Sequence, residues 1–112
     1  MYLIRYTTGS SLEVVATPEF RAWLDDLRDQ RAQVRIRSRI RRLAEGNPGD
    51  YASVGSGVFE LRVHVGAGYR VYFMRTGARI VLLLAGGDKQ SQSQDITHAK
   101  AVARSCTLDL QE

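Results

Sequence analysis

Apolar and polar residues alternate along two stretches in the second half of the chain, residues 58–65 and 69–74. Such alternation places successive side chains on opposite faces of a β-strand. Residues 79–85 follow a Gly-Ala turn and contain a continuous apolar run, which is typical of a buried strand. The three stretches predict an antiparallel β-meander whose first two strands are joined by the Gly-Ala-Gly segment at 66–68.

The cationic side chains of this meander fall at one end. If the Gly-Ala-Gly segment is the whole first loop, His64 pairs with Arg70, and Arg62 pairs with Tyr72. The third strand returns so that Lys89, just after it, lies near Arg70. The pattern therefore predicts three cations, a histidine and a tyrosine on one exposed patch of sheet, where a phosphate group can bind.

The pattern of the first half of the chain predicts a strand followed by a helical hairpin. Residues 1–6 alternate weakly, but residues 12–16 make the better first strand because Thr17 then provides an N-cap. An amphipathic helix follows, and residues 30–45 form a second helix that ends at the Gly-Asn-Pro-Gly-Asp segment. The apolar stripe of the first helix consists of Phe20, Trp23, Leu24 and Leu27.

A final helix begins near Ser91, which has capping-box spacing to Gln94, although Ser93 is an alternative cap. Its apolar stripe is thin. The predicted fold class is α+β: an N-terminal strand and helical hairpin packed on an antiparallel β-meander, with a C-terminal helix. We expect a single domain over residues 1–112, with its core at about 12–103 and an extension before residue 12.

Composition and charge further limit the classes of protein to which this chain can belong. The chain is 44% hydrophobic and 25% charged, as in ordinary globular proteins, and no apolar stretch approaches the ~20 residues of a membrane span. The N-terminus lacks the pattern of a secretion signal, and the single cysteine, Cys106, fits a reducing cytoplasm. The formal net charge is +4, and most of the basic residues are arginine, which grips phosphate oxygens bidentately.

Six arginines crowd the second helix. One interpretation is a ridge that binds the backbone of RNA through Arg35, Arg39 and Arg42. The alternative is a solvated helix face, because arginine is a good helix former and aspartates lie nearby.

The order of elements, together with four sequence segments, resembles the RelE/ParE toxin superfamily, and most closely its HigB-like "addiction module killer" proteins. The segments are Glu-Leu-Arg at 60–62, Gly-Tyr-Arg-Val-Tyr-Phe at 68–73, Gly-Asn-Pro-Gly-Asp at 46–50, and residues 82–89. The resemblance covers roughly residues 12–102. It implies a RelE/ParE-like fold and a bacterial cytoplasmic toxin of a type II toxin–antitoxin system.

The resemblance further implies an endoribonuclease that cuts mRNA on the ribosome and is silenced by a helix-turn-helix antitoxin. Operator DNA is then bound only through the antitoxin, and no cofactor is needed. We also expect no metal, because histidine, cysteine and the acidic residues show no ligand spacing.

RNA cleavage of this type requires a base for the 2′-hydroxyl, an acid for the leaving oxygen, and cations at the phosphate. The resemblance makes Arg70 the first candidate to stabilise charge, followed by Arg62 and Lys89. Arginine cannot act as a base, so His64 is the candidate proton shuttle. The terminal segment, where related toxins often carry tyrosine or histidine, offers Asp95 and His98.

Each assignment has a structural alternative. His64 can be a rim residue bonded to a neighbour, and Tyr72 either stacks on an RNA base or packs over Arg62. Glu60 can neutralise Arg62, and Asp88 can cap the turn after the third strand. Two other functions also remain open: a ParE-like inhibitor of DNA gyrase without enzymatic activity, and a nucleic-acid-binding module that uses the helical ridge.

Overall fold

The computed structural model describes residues 3–7 and 12–110, which form six strands and three helices. The strands are β1 (Ile4–Thr7), β2 (Glu13–Ala16), β3 (Tyr51–Gly55), β4 (Val58–Val63), β5 (Tyr69–Thr76) and β6 (Ile80–Asp88). The helices are α1 (Pro18–Asp25), α2 (Gln30–Ala44) and α3 (Gln92–Leu110). The predicted α+β class is confirmed. No helix in these described ranges is both long enough and apolar enough to cross a membrane.

All six strands belong to one sheet, in the order β1-β2-β6-β5-β4-β3. Every neighbouring pair is antiparallel except β2 and β6, which run parallel. The predicted meander is therefore present as β4, β5 and β6, while β3 was not predicted. β1 lies within the residues interpreted as an extension, so the sheet begins before the expected boundary at residue 12; residues 1 and 2 fall outside the described part.

The hairpin of α1 and α2 covers one face of the sheet. Phe20 and Leu24 of α1 and Ile36 and Ile40 of α2 are fully buried against the odd-numbered side chains of β4 and β5. The predicted cap is in place, because the Thr17 hydroxyl oxygen accepts a hydrogen bond from the backbone N–H of Phe20 at 3.0 Å. Phe20 and Leu24 thus pack as expected; Trp23 and Leu27 contact the same core while partly buried, and Leu27 lies beyond the end of α1 at Asp25.

The third helix, α3, covers the opposite face. Ala99, Val102 and Cys106 pack there against Tyr72 and against the second face of β6. Because α3 lies over the face on which the cations were predicted, part of that patch is buried. Tyr72 is fully buried.

The register between β4 and β5 differs from the prediction by two residues. Arg62 pairs with Arg70 and Val63 with Tyr69, so the connecting loop is residues 64–68 rather than 66–68. The predicted pairs of His64 with Arg70 and of Arg62 with Tyr72 are therefore wrong. Side chains alternate with a period of two, so a two-residue shift leaves each one on its predicted face.

Candidate functional site

A buried carboxylate lies at the centre of the polar face of β4 and β5. Glu60 is 1% exposed, and its oxygens accept hydrogen bonds from Gln92 Nε2 at 2.7 Å, Arg62 Nε at 3.1 Å and the Tyr72 hydroxyl at 3.2 Å. Arg70 Nε lies 3.5 Å from the same carboxylate. These five residues form what we call the Glu60 cluster. Several donors satisfy the charge of Glu60, as a buried carboxylate requires.

Arg70 is largely enclosed in this cluster, with a side chain only 12% exposed. Its Nη1 donates to the carbonyl oxygen of Gly68 at 3.3 Å, and its buried Nε makes no well-aligned hydrogen bond. No hydrogen bond or ion pair to Nη2 is found within the described residues. A Cβ added at Gly68 would lie 3.5 Å from Lys89 Cβ and 3.8 Å from Arg70 Nη1, so the two basic side chains flank the same glycine.

Arg62 is the more accessible of the paired arginines, with a side chain 38% exposed. Its Nη1 lies 3.6 Å from Asp50 Oδ1, and Asp50 Oδ2 lies 2.5 Å from Nε2 of the exposed His64. The hydrogen bond with His64, and then the charge of Arg62, lower the pKa of Asp50. Asp50 therefore stays ionised and links the histidine to the Glu60 cluster.

The environment of Tyr72 keeps its phenol neutral. Burial, followed by the charge of Glu60, raises the pKa of Tyr72 far above the ordinary value. The hydroxyl acts as a donor to Glu60, and the ring is enclosed beneath α3. The expectation that Tyr72 is exposed and stacks on an RNA base is wrong, because a fully buried ring offers no face for stacking.

The segment between β6 and α3 is organised by Asp88. Its Oδ1 accepts hydrogen bonds from the backbone N–H groups of Gln90 at 2.9 Å and Ser91 at 3.1 Å, which confirms the interpretation of Asp88 as a turn cap. The Ser91 hydroxyl donates to Asp95 Oδ2 at 2.5 Å, so Asp95, rather than the predicted Gln94, is its side-chain partner. Lys89 is exposed beside this turn.

His98 lies apart from the Glu60 cluster in its contacts. Its Nε2 is 2.7 Å and 3.0 Å from the two carboxylate oxygens of Glu19 in α1. Within residues 3–7 and 12–110, no hydrogen bond or ion pair joins His98 to the five cluster residues. The structure therefore brings together Arg62, Arg70 and Lys89, links His64 to them through Asp50, and leaves His98 elsewhere.

The arginines predicted to bind RNA on α2 are not equivalent. Arg35 and Arg42 are exposed. Arg39 instead donates to three backbone carbonyls, those of Arg62 at 2.5 Å, Pro48 at 2.9 Å and Asp50 at 3.3 Å. Burial lowers the pKa of Arg39. Arg39 thus fastens the loop that carries Asp50 to the end of β4.

Comparison with known protein families identifies the group to which the chain is related. A family model described as "Phage derived protein Gp49-like (DUF891)" matches residues 22–105, well over half of the chain. The chain belongs to the Gp49-like family. This is a family of toxin–antitoxin toxins related to the RelE/ParE-like toxins, so the resemblance found in the sequence is confirmed at that level.

One relative extends the similarity over almost its whole length. A protein of Haemophilus influenzae, described only as uncharacterized, is 44% identical over 98 residues, which cover 88% of this chain and 99% of the relative. No solved structure matches the chain significantly. The Gp49-like assignment therefore rests on sequence.

Two members of the Glu60 cluster were missed as site residues in this Gp49-like protein. Glu60 was considered only as a neutraliser of Arg62, and Gln92 had no assigned contact. The apolar run of β6 could have indicated that both faces of the sheet are covered, because a strand that is apolar on both faces must be buried on both. Such cover had to come from the last helix, which brings Gln92 over Glu60.

The arrangement can hold a phosphate group but shows no grouping suited to a metal ion. In the described ranges, no three histidine, cysteine or carboxylate side chains come together. The accessible cations are Arg62 and Lys89. The largely enclosed Arg70 is paired with Arg62 across β4 and β5 and flanks Gly68 together with Lys89. Guanidinium and ammonium groups placed near one another favour an anion as ligand.

Proposed function

We propose that this Gp49-like protein is the toxin of a type II toxin–antitoxin system and acts as a ribosome-dependent mRNA endonuclease that inhibits translation. One observation carries the proposal. Arg62 and Arg70 occupy directly paired positions on β4 and β5, and Lys89 flanks the same glycine as Arg70. Glu60 and Asp50 offset the charges of the two guanidinium groups, so the addition of Lys89 leaves this group of side chains with a surplus positive charge that would favour an anion.

The buried Glu60 also gives Arg70 a structural role. The carboxylate lies 3.5 Å from Arg70 Nε, and the hydrogen bond from Nη1 to the Gly68 carbonyl holds that terminal nitrogen on the side of Gly68 and Lys89. A group oriented in advance loses little entropy when it meets a phosphate. We therefore assign Arg70 the role of a preoriented cation whose Nη2 faces the phosphate. Arg62 and Lys89 are the more exposed contacts.

The chemistry needs two proton transfers. A base removes the proton of the 2′-hydroxyl, whose oxygen attacks the adjacent phosphorus. The bond to the 5′-oxygen breaks, that oxygen takes a proton from an acid, and the products are a 2′,3′-cyclic phosphate and a 5′-hydroxyl. We assign the base to His64, because the contact of its Nε2 with ionised Asp50 orients the imidazole and leaves the other ring nitrogen to accept a proton. We assign the second transfer to Asp95 of α3.

We further propose that the antitoxin is a helix-turn-helix protein and that the chain belongs to a HigB-like branch. Membership of a toxin–antitoxin family implies an antitoxin partner. Its helix-turn-helix nature rests on the resemblance of segments such as residues 68–73. Co-expression of the adjacent reading frame should restore growth to cells that produce this chain, and failure to restore growth would contradict the pairing.

The test uses translation in a reconstituted system. Wild-type protein should halt synthesis and leave mRNA cut at defined positions, which primer extension maps. Lys89→Ala should slow cleavage about a hundredfold, the scale of losing one preorganised charged donor. The matched control is Lys100→Ala, which removes the same charge from α3 and should cleave at the wild-type rate.

Two further outcomes decide against the proposal. Equal cleavage by Lys89→Ala and Lys100→Ala would remove Lys89 from the site. Arrested growth with intact mRNA, together with inhibited supercoiling by purified gyrase, would replace the nuclease with a ParE-like gyrase inhibitor. Arg70→Lys keeps a cation beside Glu60 and so serves as a folded variant in which cleavage should still fall.

A further inference from the structure

A second cationic cavity lies on the other flank of α2. It has a volume of about 360 Å³ and is lined by Tyr6 of β1, Arg21 of α1, and Arg37 and Arg41 of α2. Arg37 and Arg41 are one helical turn apart and share a flank. Arg39, which contacts the end of β4, projects about 200° around the helix from Arg37. The cavity is therefore distinct from the Glu60 cluster.

The walls of this cavity are held by contacts among the lining residues and with Asp25. Arg37 Nη1 donates to the Tyr6 hydroxyl at 3.3 Å, and its Nη2 donates to Asp25 Oδ1 at 3.0 Å. The Arg21 guanidinium carbon lies 5.6 Å from the centre of the Tyr6 ring, and Arg21 Nε lies 3.4 Å from Asp25 Oδ2. Two of the three arginines are thus fixed in place before any ligand binds.

The charge of the cavity is not balanced. One carboxylate, Asp25, pairs with both Arg21 and Arg37, which leaves a surplus of positive charge. Arg41 is exposed, and among the described residues no hydrogen bond or ion pair to its guanidinium is found. Three guanidinium groups around a space that is open to solvent match the geometry and charge of phosphate oxygens.

We propose that the cavity bounded by Tyr6, Arg21, Arg37 and Arg41 binds a phosphate group. Arg41 supplies an exposed guanidinium fork, Arg21 and Arg37 supply positive charge that is already held in place, and the Tyr6 hydroxyl lies at the wall. The phosphate belongs either to an RNA backbone or to a free phosphate or phosphomonoester. This binding goes beyond the proposed cleavage and does not depend on it, since none of the four residues belongs to the Glu60 cluster.

Calorimetric titration at low ionic strength tests the proposal with two probes, inorganic phosphate and a short 2′-O-methylated single-stranded RNA that cannot be cleaved. Arg41→Gln should weaken binding about tenfold or more, the scale of one hydrogen bond to a charged group. Arg41→Lys keeps the charge without the fork and should weaken it less. The matched control, Arg104→Gln, removes an exposed charge from α3 and should bind as the wild type does.

The two probes distinguish the sources. Loss of inorganic phosphate binding in Arg41→Gln, with RNA binding unchanged, supports a free phosphate or phosphomonoester. Loss of RNA binding, with a shallower dependence on salt, supports a backbone phosphate. No binding of either probe by the wild type, or equal effects of Arg41→Gln and Arg104→Gln, overturns the proposal. Lys89→Ala, which alters the proposed nuclease site and leaves the cavity intact, should bind inorganic phosphate as the wild type does. The phosphate result therefore does not depend on whether the nuclease proposal holds.

Discussion

Neutralising the buried carboxylate of Glu60 should destabilise the protein far more than neutralising an exposed one. Glu60→Gln keeps the shape of the side chain but removes the charge that balances Arg62 and Arg70. Arg70, 12% exposed, would then keep its bond to the Gly68 carbonyl but face a neutral amide in place of the carboxylate. The perturbation therefore leaves a nearly buried guanidinium without a counter-charge.

The size of the stability loss depends on how far solvent can reach the two arginine side chains. Removing one partner of a fully buried ion pair costs about 3–5 kcal/mol. Arg62 is 38% exposed and keeps Asp50 at 3.6 Å, so its contribution is smaller. We expect Glu60→Gln to lower the free energy of unfolding by about 2–4 kcal/mol. At about 4 °C per kcal/mol for a domain of this size, Tm falls by roughly 10 °C.

Urea denaturation followed by circular dichroism measures this loss. The matched control is Glu13→Gln, because Glu13 is a strand residue whose Oε1 pairs with Arg5 Nε at 2.8 Å but is exposed to solvent. An exposed pair is worth under about 1 kcal/mol, so the control should unfold close to the wild type. Equal unfolding free energies for the two variants would refute the view that Glu60 compensates buried cations.

Three other changes test separate features. Asp50→Asn should be less stable than the wild type at neutral pH, and the difference should vanish in acid. The pKa of Asp50 is lower in the folded protein than its unfolded value of about 3.9, so the ionised carboxylate stabilises the fold above that pH and the stabilisation is lost as pH falls. Urea denaturation at a series of pH values measures this difference. Gly86→Ala should lower stability by about 1–3 kcal/mol, since a Cβ there overlaps the ring of Trp23; an unchanged Tm would contradict this packing. Thr17→Val should cost about 1–2 kcal/mol in the same denaturation assay because the N–H of Phe20 loses its cap.

The sequence was sufficient for the strand faces because alternation depends only on local spacing. The odd-numbered residues of β4 and β5 pack beneath α2, as predicted, while Glu60 and Arg70 lie on the other face. The register was wrong because alternation continues through His64 and Val65 into the loop. Nothing in the pattern indicates that pairing ends at Val63.

The exposure of Tyr72 could not be read from its own strand. Whether a polar sheet face is open depends on an element distant in sequence, here α3, which begins at Gln92. The apolar stripe of that helix is thin and did not indicate how closely the helix packs. Small residues such as Ala99 and Ala103 instead allow close approach to the sheet, so a weak stripe accompanies tight packing.

The parallel pairing of β2 with β6 has a consequence for synthesis of the protein. Residues 13–16 pair with residues 80–83, so one of the first strands to be made must wait for the last one. At a translation speed of about 5–20 residues per second, the helical hairpin emerges seconds before its sheet is complete. A stop codon or frameshift before Ile80 would remove β6, so β2 would have no inner strand to pair with. We expect such mutations to inactivate the protein by preventing folding.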